Sequence, residues 1–181
     1  MNREEALALL KKKVKTKNLV KHMIATEACM RKLALHFGEP AEKWALAGLL
    51  HDLDYDETKD DFARHGLVSA QYLEELGVDK EIVEAIRAHP GHTEPKERIE
   101  IALYAVDPLT GLIVASALMH PEKKLSALTT DFVMRRFKEK RFAAGANREQ
   151  IKWCEKLGLD LEDFIGLCID AMKEVADELG L

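Results

Sequence analysis

Apolar residues recur at intervals of three and four along most of the chain, and no segment alternates apolar and polar positions over the length of a strand. This spacing places apolar side chains along one face of a helix, so it predicts a fold that is nearly all α-helical. No stretch rich in Gly, Ser or Pro separates two halves of the chain. We therefore predict one all-α domain over residues 1–181.

Capping residues and helix breakers indicate where the helices begin and end. We expect Asn18 to open the second helix and Pro95 to start the sixth. Pro108 should kink or end that sixth helix, because proline lacks the backbone N–H that a helix interior needs. Near the C-terminus, Asn147 with Gln150 is the pattern of a capping box.

Charge and composition restrict the class of protein. The 27 basic and 32 acidic residues give a net charge of −5, so neither extended nucleic acid nor an anionic membrane is indicated as a partner. Cys29, Cys154 and Cys168 are too far apart to suggest a disulfide framework or a thiolate zinc site, which favours a reducing cytosol. The N-terminus lacks the features of a signal peptide, and the longest apolar run, 109–119, is shorter than the roughly 20 residues of a membrane span. We predict a cytoplasmic protein.

Several polar residues interrupt the apolar helix faces. A lone histidine in such a position is more often a hydrogen-bonded core residue than a metal ligand. Several together would need many separate polar partners, whereas one or two cations satisfy them all at once. For the aspartate before Pro108, the competing explanation is a residue that ends a helix. The residues concerned are His22, His51, Asp52, His65, His89 and Asp107.

The acidic segment DLDYDE, which starts at Asp52, resembles the beginning of a calcium-binding EF-hand loop. That loop requires Gly at its sixth position and Glu at its twelfth, where this chain has Glu57 and Ala63. The calcium interpretation therefore fails. Most of the segment is expected to be a solvated loop, with Asp54 and Lys59 close enough in sequence to support the ligands.

These residues resemble the HD superfamily of metal-dependent phosphohydrolases, which is named for the adjacent pair seen here as His51 and Asp52. The fragments RHGLVSAQYL and AIRAHPGHT further resemble its dinuclear branch, which includes bacterial diadenosine tetraphosphate hydrolases. The likeness covers about residues 18–110. It implies an HD-type helical bundle with a core over about 18–120 and a C-terminal helical extension over about 121–181.

The resemblance also implies roles for the six residues. Two divalent transition metals would be bound, and Asp52 would bridge them. Iron or manganese is favoured, with Co, Ni or Zn possible, because imidazole and carboxylate ligands suit them better than Mg or Ca. The first metal would be held by His22, His51, Asp52 and Asp107, and the second by Asp52, His65 and His89. The catalytic residues would be His51, Asp52, His65, His89 and Asp107.

His92 is an alternative to His89, since it follows three residues later. Helical periodicity places His89 on the apolar face of its helix, whereas Pro90 and Gly91 break the helix before His92. We therefore expect His89 to be the ligand.

The implied reaction is cleavage of a phosphate ester or phosphoanhydride of a small metabolite or nucleotide by a metal-activated hydroxide. The chain contains neither a G-x-S-x-G elbow nor a P-loop. After Asp107 it continues with PLTGLI, unlike the charged continuation of the dinucleotide hydrolases, so the substrate stays open. An HD-type diiron oxygenase acting with O₂ on a small substrate is the alternative, and a nucleotide-binding sensor is a third class.

A phosphorylated substrate would need cations. The segment RRFKEKRF at 135–142 and Arg148 supply several, although a solvated basic face is the more common explanation for such a run. Arg64 and Arg87 are nearer in sequence to the expected ligands.

Overall fold

The computed structural model describes all residues from Met1 to Leu181 and contains eleven α-helices, three short 3₁₀ helices and no β-strand. The all-α prediction is confirmed. The 3₁₀ helices are Phe62–Arg64, Leu125–Ala127 and Lys152–Leu157. The α-helices are α1 (Arg3–Lys13), α2 (Lys17–Phe37), α3 (Ala41–Leu50), α4 (Tyr55–Thr58), α5 (Leu67–Glu75), α6 (Lys80–Ala88), α7 (Arg98–Met119), α8 (Thr130–Lys138), α9 (Arg148–Ile151), α10 (Leu161–Glu174) and α11 (Ala176–Leu179).

Helix α2 lies at the centre of the bundle and packs against α3, α7 and α10. The buried apolar side chains form one continuous core that includes residues from Ala6 to Leu179. The C-terminal helices therefore share a core with the helices that carry the candidate ligands. Burial of this apolar surface is the main force that holds the bundle together.

Helices α2 and α3 lie in close contact at Gly48. A Cβ atom there would lie 2.7 Å from the backbone oxygen of Thr26, so a larger residue would push the helices apart. His22 lies one turn before Thr26 on α2, and His51 directly follows α3. The small residue thus allows these two histidines to meet.

The sequence predicted either a kink or a helix end at Pro108; helix α7 continues through this proline, so the helix end is wrong. Because Pro108 has no N–H, the backbone oxygen of Tyr104 one turn earlier loses its usual helical partner. The side chain of Gln150 replaces that partner, since its Nε2 donates a 2.8 Å hydrogen bond to the Tyr104 oxygen. A residue from the C-terminal part of the chain therefore completes the interrupted helix.

Other helix boundaries also differ from expectation. Helix α2 already begins at Lys17, so Asn18 lies inside its first turn instead of capping it. Helix α7 begins three residues after Pro95, where a pair of glutamates forms a capping box. Asn147 caps α9 by accepting a hydrogen bond from the Gln150 backbone, but the Gln150 side chain reaches α7. The predicted capping box is therefore only half present.

One helix, α7, is long and apolar enough to cross a membrane by length and composition. The expectation that no apolar stretch reaches that length is wrong, because α7 does not end at its proline. Of its most apolar window, 56% is buried inside the protein, and a buried core helix passes the same test. This helix alone is weak evidence for a membrane span.

The irregular segment between α8 and α9 is held by Arg148. Its guanidinium group donates hydrogen bonds to six backbone oxygens, and burial lowers its pKa. Arg148, expected as a possible phosphate-binding cation, is instead used to position α9 and hence Gln150. The six oxygens belong to Arg136, Phe137, Glu139, Phe142, Ala143 and Ala146.

Candidate metal centre

The structure brings all six predicted ligand residues together in the middle of the bundle. His22 and Asp107 lie within the long helices α2 and α7, and their side chains are 23% and 27% exposed. The other four side chains are buried and lie at or just beyond the ends of elements. His51 and His89 are the C-terminal caps of α3 and α6, Asp52 follows α3, and His65 precedes α5.

Four of these side chains form what we call the His22 group, which consists of His22, His51, Asp107 and the Oδ2 atom of Asp52. The two imidazole Nε2 atoms lie 3.1 Å apart. The Nε2 atom of His22 lies 3.0 Å from Asp107 Oδ1 and 3.5 Å from Asp52 Oδ2. The Nε2 atom of His51 lies 3.6 and 3.3 Å from the same two oxygens.

The remaining candidate ligand atoms form the His65 group, which consists of His65, His89 and the Oδ1 atom of Asp52. Its two Nε2 atoms lie 3.2 Å apart, and each lies 3.4 Å from that oxygen. Asp52 thus faces one group with each of its carboxylate oxygens. The donor atoms of His51, Asp52 and His89 also lie within 4.8 Å of one another, so the two groups adjoin.

The two histidines at helix ends are oriented by backbone oxygens. His51 Nδ1 donates a 2.8 Å hydrogen bond to the Gly48 oxygen, and His89 Nδ1 donates one of 2.6 Å to the Ile86 oxygen. A backbone oxygen can only accept, so the ring hydrogen lies on Nδ1 in both residues. In the neutral ring, Nε2 then presents its lone pair to the cluster.

The other two histidines are oriented by side chains. His65 Nδ1 donates to Asp54 Oδ1 at 2.9 Å, and His22 Nδ1 contacts Thr110 Oγ1 at 2.9 Å. Thr110 donates its own hydrogen to the backbone oxygen of Asp107, so its hydroxyl accepts from His22. When the four rings are neutral, as metal binding requires, all four Nε2 atoms therefore point lone pairs inward. Such outer partners are what usually fixes metal-binding histidines.

This arrangement fits a divalent metal. Two imidazole lone pairs face each other across 3.1 Å in one group and 3.2 Å in the other, with their ring hydrogens on the far side. Lone pairs repel at such distances, and a cation between them turns that repulsion into binding. Nitrogen and carboxylate oxygen donors are those that divalent transition metals prefer.

The cluster is also strongly polarised. Burial raises the pKa of Asp52, but the neighbouring histidines outweigh it and hold that pKa well below its usual value. Burial lowers the pKa of His51, yet Asp52 and Asp107 raise it well above the usual value. Without a cation the cluster therefore attracts protons. A metal would displace those protons, so binding should weaken at low pH.

Asp54 supports the His65 group from behind. Its buried carboxylate accepts hydrogen bonds from the backbone N–H groups of Gly66 and Ser69, at 2.8 and 2.9 Å, besides the one from His65. Burial raises the pKa of Asp54, but the hydrogen bonds from His65 and Ser69 lower it below its usual value. The sequence indicated this supporting role for Asp54. The sequence analysis did not identify Thr110. The one sequence feature that could have identified it is its position three residues after Asp107.

His92 lies outside the cluster. Its Nε2 donates a 3.1 Å hydrogen bond to the backbone oxygen of His65, and its ring packs edge-on against Phe62. Of the two histidines weighed from the sequence, the structure thus places His89 beside His65 and Asp52, and His92 outside the cluster.

A cavity of about 560 Å³ opens onto the cluster. Lys59 is the one Lys or Arg side chain that lines it. Arg64, which pairs with Glu57, and Arg87, which pairs with Glu74, do not line this cavity. The basic segment 135–141 contributes no lining residue either. The remaining wall consists of Thr16, Asn18, Leu19, Tyr55, Thr58, Phe62, Pro90 and Gln150.

Comparison with known proteins identifies relatives of this arrangement. The family model of the HD domain matches residues 19–125, which is more than half of the chain. An uncharacterized protein of Methanocaldococcus jannaschii is 31% identical over 161 residues, covering 84% of this chain and 92% of that protein. No solved structure matches.

Several further relatives are ribonuclease Y proteins. That of Nitratidesulfovibrio vulgaris is 28% identical over 96 residues, covering 53% of this chain and 18% of the relative. That of Acholeplasma laidlawii is 29% identical over 93 residues, covering 51% and 18%. The chain thus spans about a fifth of the length of these relatives.

Proposed function

We propose that this chain, which belongs to the HD domain family, is a metal-dependent hydrolase. It would cleave a phosphate ester or phosphoanhydride bond of a small metabolite or nucleotide. The observation that carries this proposal is the arrangement of four imidazoles around Asp52. They face each other in two pairs, and one pair lies beside each carboxylate oxygen of Asp52. The cavity wall contains no Ser or Cys side chain, and the hydroxyls of its Thr16 and Thr58 donate to Asp56 and to the Asp54 backbone oxygen. Attack by water is therefore the reaction that these residues support best.

Two metals per chain fit the two groups. The His22 group would hold one, the His65 group the other, and Asp52 would bridge them. Iron or manganese is our preferred assignment, with cobalt, nickel or zinc as alternatives, because the donors combine imidazole nitrogen with carboxylate oxygen. Two such cations would polarise a phosphoryl oxygen and lower the pKa of water.

The residues of the chain then have distinct tasks. Asp54 and Thr110 keep the imidazoles of His65 and His22 turned toward the cluster. The Lys59 ammonium supplies positive charge to the cavity, where it can neutralise a phosphate oxygen that the metals leave uncovered. With one such cation, the cavity suits a substrate of few phosphate groups.

Two alternatives shape the test. Ribonuclease Y is named as a nuclease, so phosphodiesters belong among the candidate substrates, although this chain matches only a fraction of that protein. The same donor set also suits a pair of iron ions, which keeps an oxygenase acting with O₂ as the second candidate.

Metal analysis combined with a substrate screen tests the proposal. Protein purified without oxygen should contain up to two equivalents of transition metal per chain. Under nitrogen with Mn²⁺, it should release phosphate from some member of a panel of phosphate monoesters, diesters and dinucleotides. Removal of metal by a chelator should abolish this activity, and Mn²⁺, Fe²⁺, Co²⁺ or Ni²⁺ should restore it. Absence of bound metal together with absence of activation would overturn the proposal, and oxygen consumption without phosphate release would favour the oxygenase.

A further inference from the structure

Gln150 is a polar residue of the cavity wall that comes from the C-terminal part of the chain. It lines the same cavity as His22 and Asp107, and its side chain is half-buried. One hydrogen of its amide is used by the Tyr104 backbone oxygen. The amide oxygen and the second amide hydrogen make no hydrogen bond within the protein. The amide oxygen is not buried.

The position of this amide is set by two independent features. Pro108 frees the Tyr104 oxygen to accept from Gln150, as described above. Arg148 holds the preceding segment through its bonds to backbone oxygens, which places α9 over α7. The side chain of Gln150 is therefore fixed before any ligand arrives. A group held in this way loses little conformational freedom when it binds.

We propose that the Gln150 carboxamide binds the organic part of the phosphorylated substrate. A carboxamide presents a donor and an acceptor side by side, so it matches a hydroxyl group or the edge of an amide or nucleobase. Phosphate oxygens only accept, and Lys59 is the better partner for them. The inference rests on the proposed function. It specifies the substrate class as a phosphate ester whose alcohol portion carries hydroxyl or amide groups, such as a nucleotide or a sugar phosphate.

Replacement of Gln150 by Leu tests this role, because leucine has a similar size and no polar atoms. For a nucleoside monophosphate or sugar phosphate that the protein hydrolyses, Gln150→Leu should raise KM about tenfold with little change in kcat, as expected for one lost hydrogen bond. For p-nitrophenyl phosphate, which lacks hydroxyl and amide groups, KM should be unchanged. Gln71→Leu is the matched control, since Gln71 lies on the exposed face of α5 and pairs only with Glu75.

A second variant separates substrate binding from a purely structural role. Gln150→Leu also leaves the Tyr104 oxygen without a partner, which should lower the melting temperature. Adding Pro108→Ala supplies a backbone N–H that can bond this oxygen within α7. The double variant should therefore recover thermal stability and keep full metal content, while KM for the hydroxyl-bearing substrate stays raised.

The outcomes are distinct. A KM that recovers together with stability in the double variant would overturn the inference, because Gln150 would then act only through α7. An equal change in KM for both kinds of substrate would overturn it as well. Absence of any phosphate release by the metal-loaded wild-type protein would instead remove the proposed function, and this inference with it.

Discussion

The two groups of candidate ligands, the His22 group and the His65 group, are built in different ways. In the His22 group, His22 and Asp107 lie in the interior of the long helices α2 and α7 and are partly exposed, whereas His51 and Asp52 are buried at the end of α3. The His65 group contains residues at or beyond the ends of short elements, and its histidines are buried. Long helices fix a side chain through packing along their whole length, whereas a residue beyond a helix end depends on local hydrogen bonds. The second group therefore needs Asp54 more than the first needs Thr110.

The two groups also differ in the number of ligands. The His22 group offers two imidazoles and two carboxylates, while the His65 group offers two imidazoles and one oxygen of the shared Asp52. More ligands and more negative charge should bind a metal more tightly. We therefore expect the His22 group to retain its metal longer during chelation, although it is the more exposed of the two.

The largest effect is expected where the groups meet, at Asp52. Asp52→Ala removes a ligand from both groups, whereas His65→Ala removes one ligand from one group. The aspartate variant should lose nearly all hydrolysis and the metal of the His65 group, while the three remaining donors of the His22 group can still hold a metal; the histidine variant should keep about one metal and a measurable rate. Metal analysis with kcat/KM of both variants checks this. Equal residual activity in the two variants, each fully loaded with metal, would argue against a bridging Asp52.

The sequence predicts a feature well when the residues that determine it lie close together along the chain. His22, His51 and His89 extend apolar stripes, so the local period of a helix identified them. The adjacent pair of His51 and Asp52 added a family resemblance. Asp54 was recognisable because it lies only two residues from Asp52. All these signals lie within a few residues of the side chain concerned.

The features that escaped prediction are hydrogen bonds between distant segments. Pro108 alone predicts a kink or the end of a helix, whereas in the structure Gln150 replaces the hydrogen bond that the proline removes from α7. Gln150 looked like part of a capping box because its contact with Tyr104 is invisible in the local pattern. Arg148 looked like a solvated cation, although its backbone partners occupy it. Pattern analysis of a single chain cannot pair such residues, since their contacts arise from the packed fold.

A smaller effect is expected within the His65 group, where two histidines lie close in sequence. His89→Ala should lower metal content by about one equivalent and reduce kcat/KM strongly, because its Nε2 faces Asp52. His92→Ala should keep both metals, since His92 bonds only a backbone oxygen and packs on Phe62. Metal analysis of the two variants gives the answer. Loss of metal from His92→Ala but not from His89→Ala would show that His92 is the ligand and that His89 is not.

The smallest effect is expected at Thr110, whose hydroxyl orients the ring of His22. Thr110→Val keeps the shape of the side chain but removes the hydroxyl that accepts from His22 Nδ1. The ring should then be less firmly oriented, and affinity for the metal of this group should fall about tenfold, the low end for loss of such a partner. Thr110→Ser retains the hydroxyl and should restore the affinity.

Metal titration of the chelated protein measures this difference, and metal content at saturation should stay unchanged. His65 is held by Asp54 on the other side of Asp52, so its group should keep its affinity in the valine variant. A uniform loss of affinity in both groups would mean that Thr110 acts through the packing of α7 against α2. A loss confined to one group would show that the two halves of the centre are oriented independently, as their separate hydrogen bonds suggest.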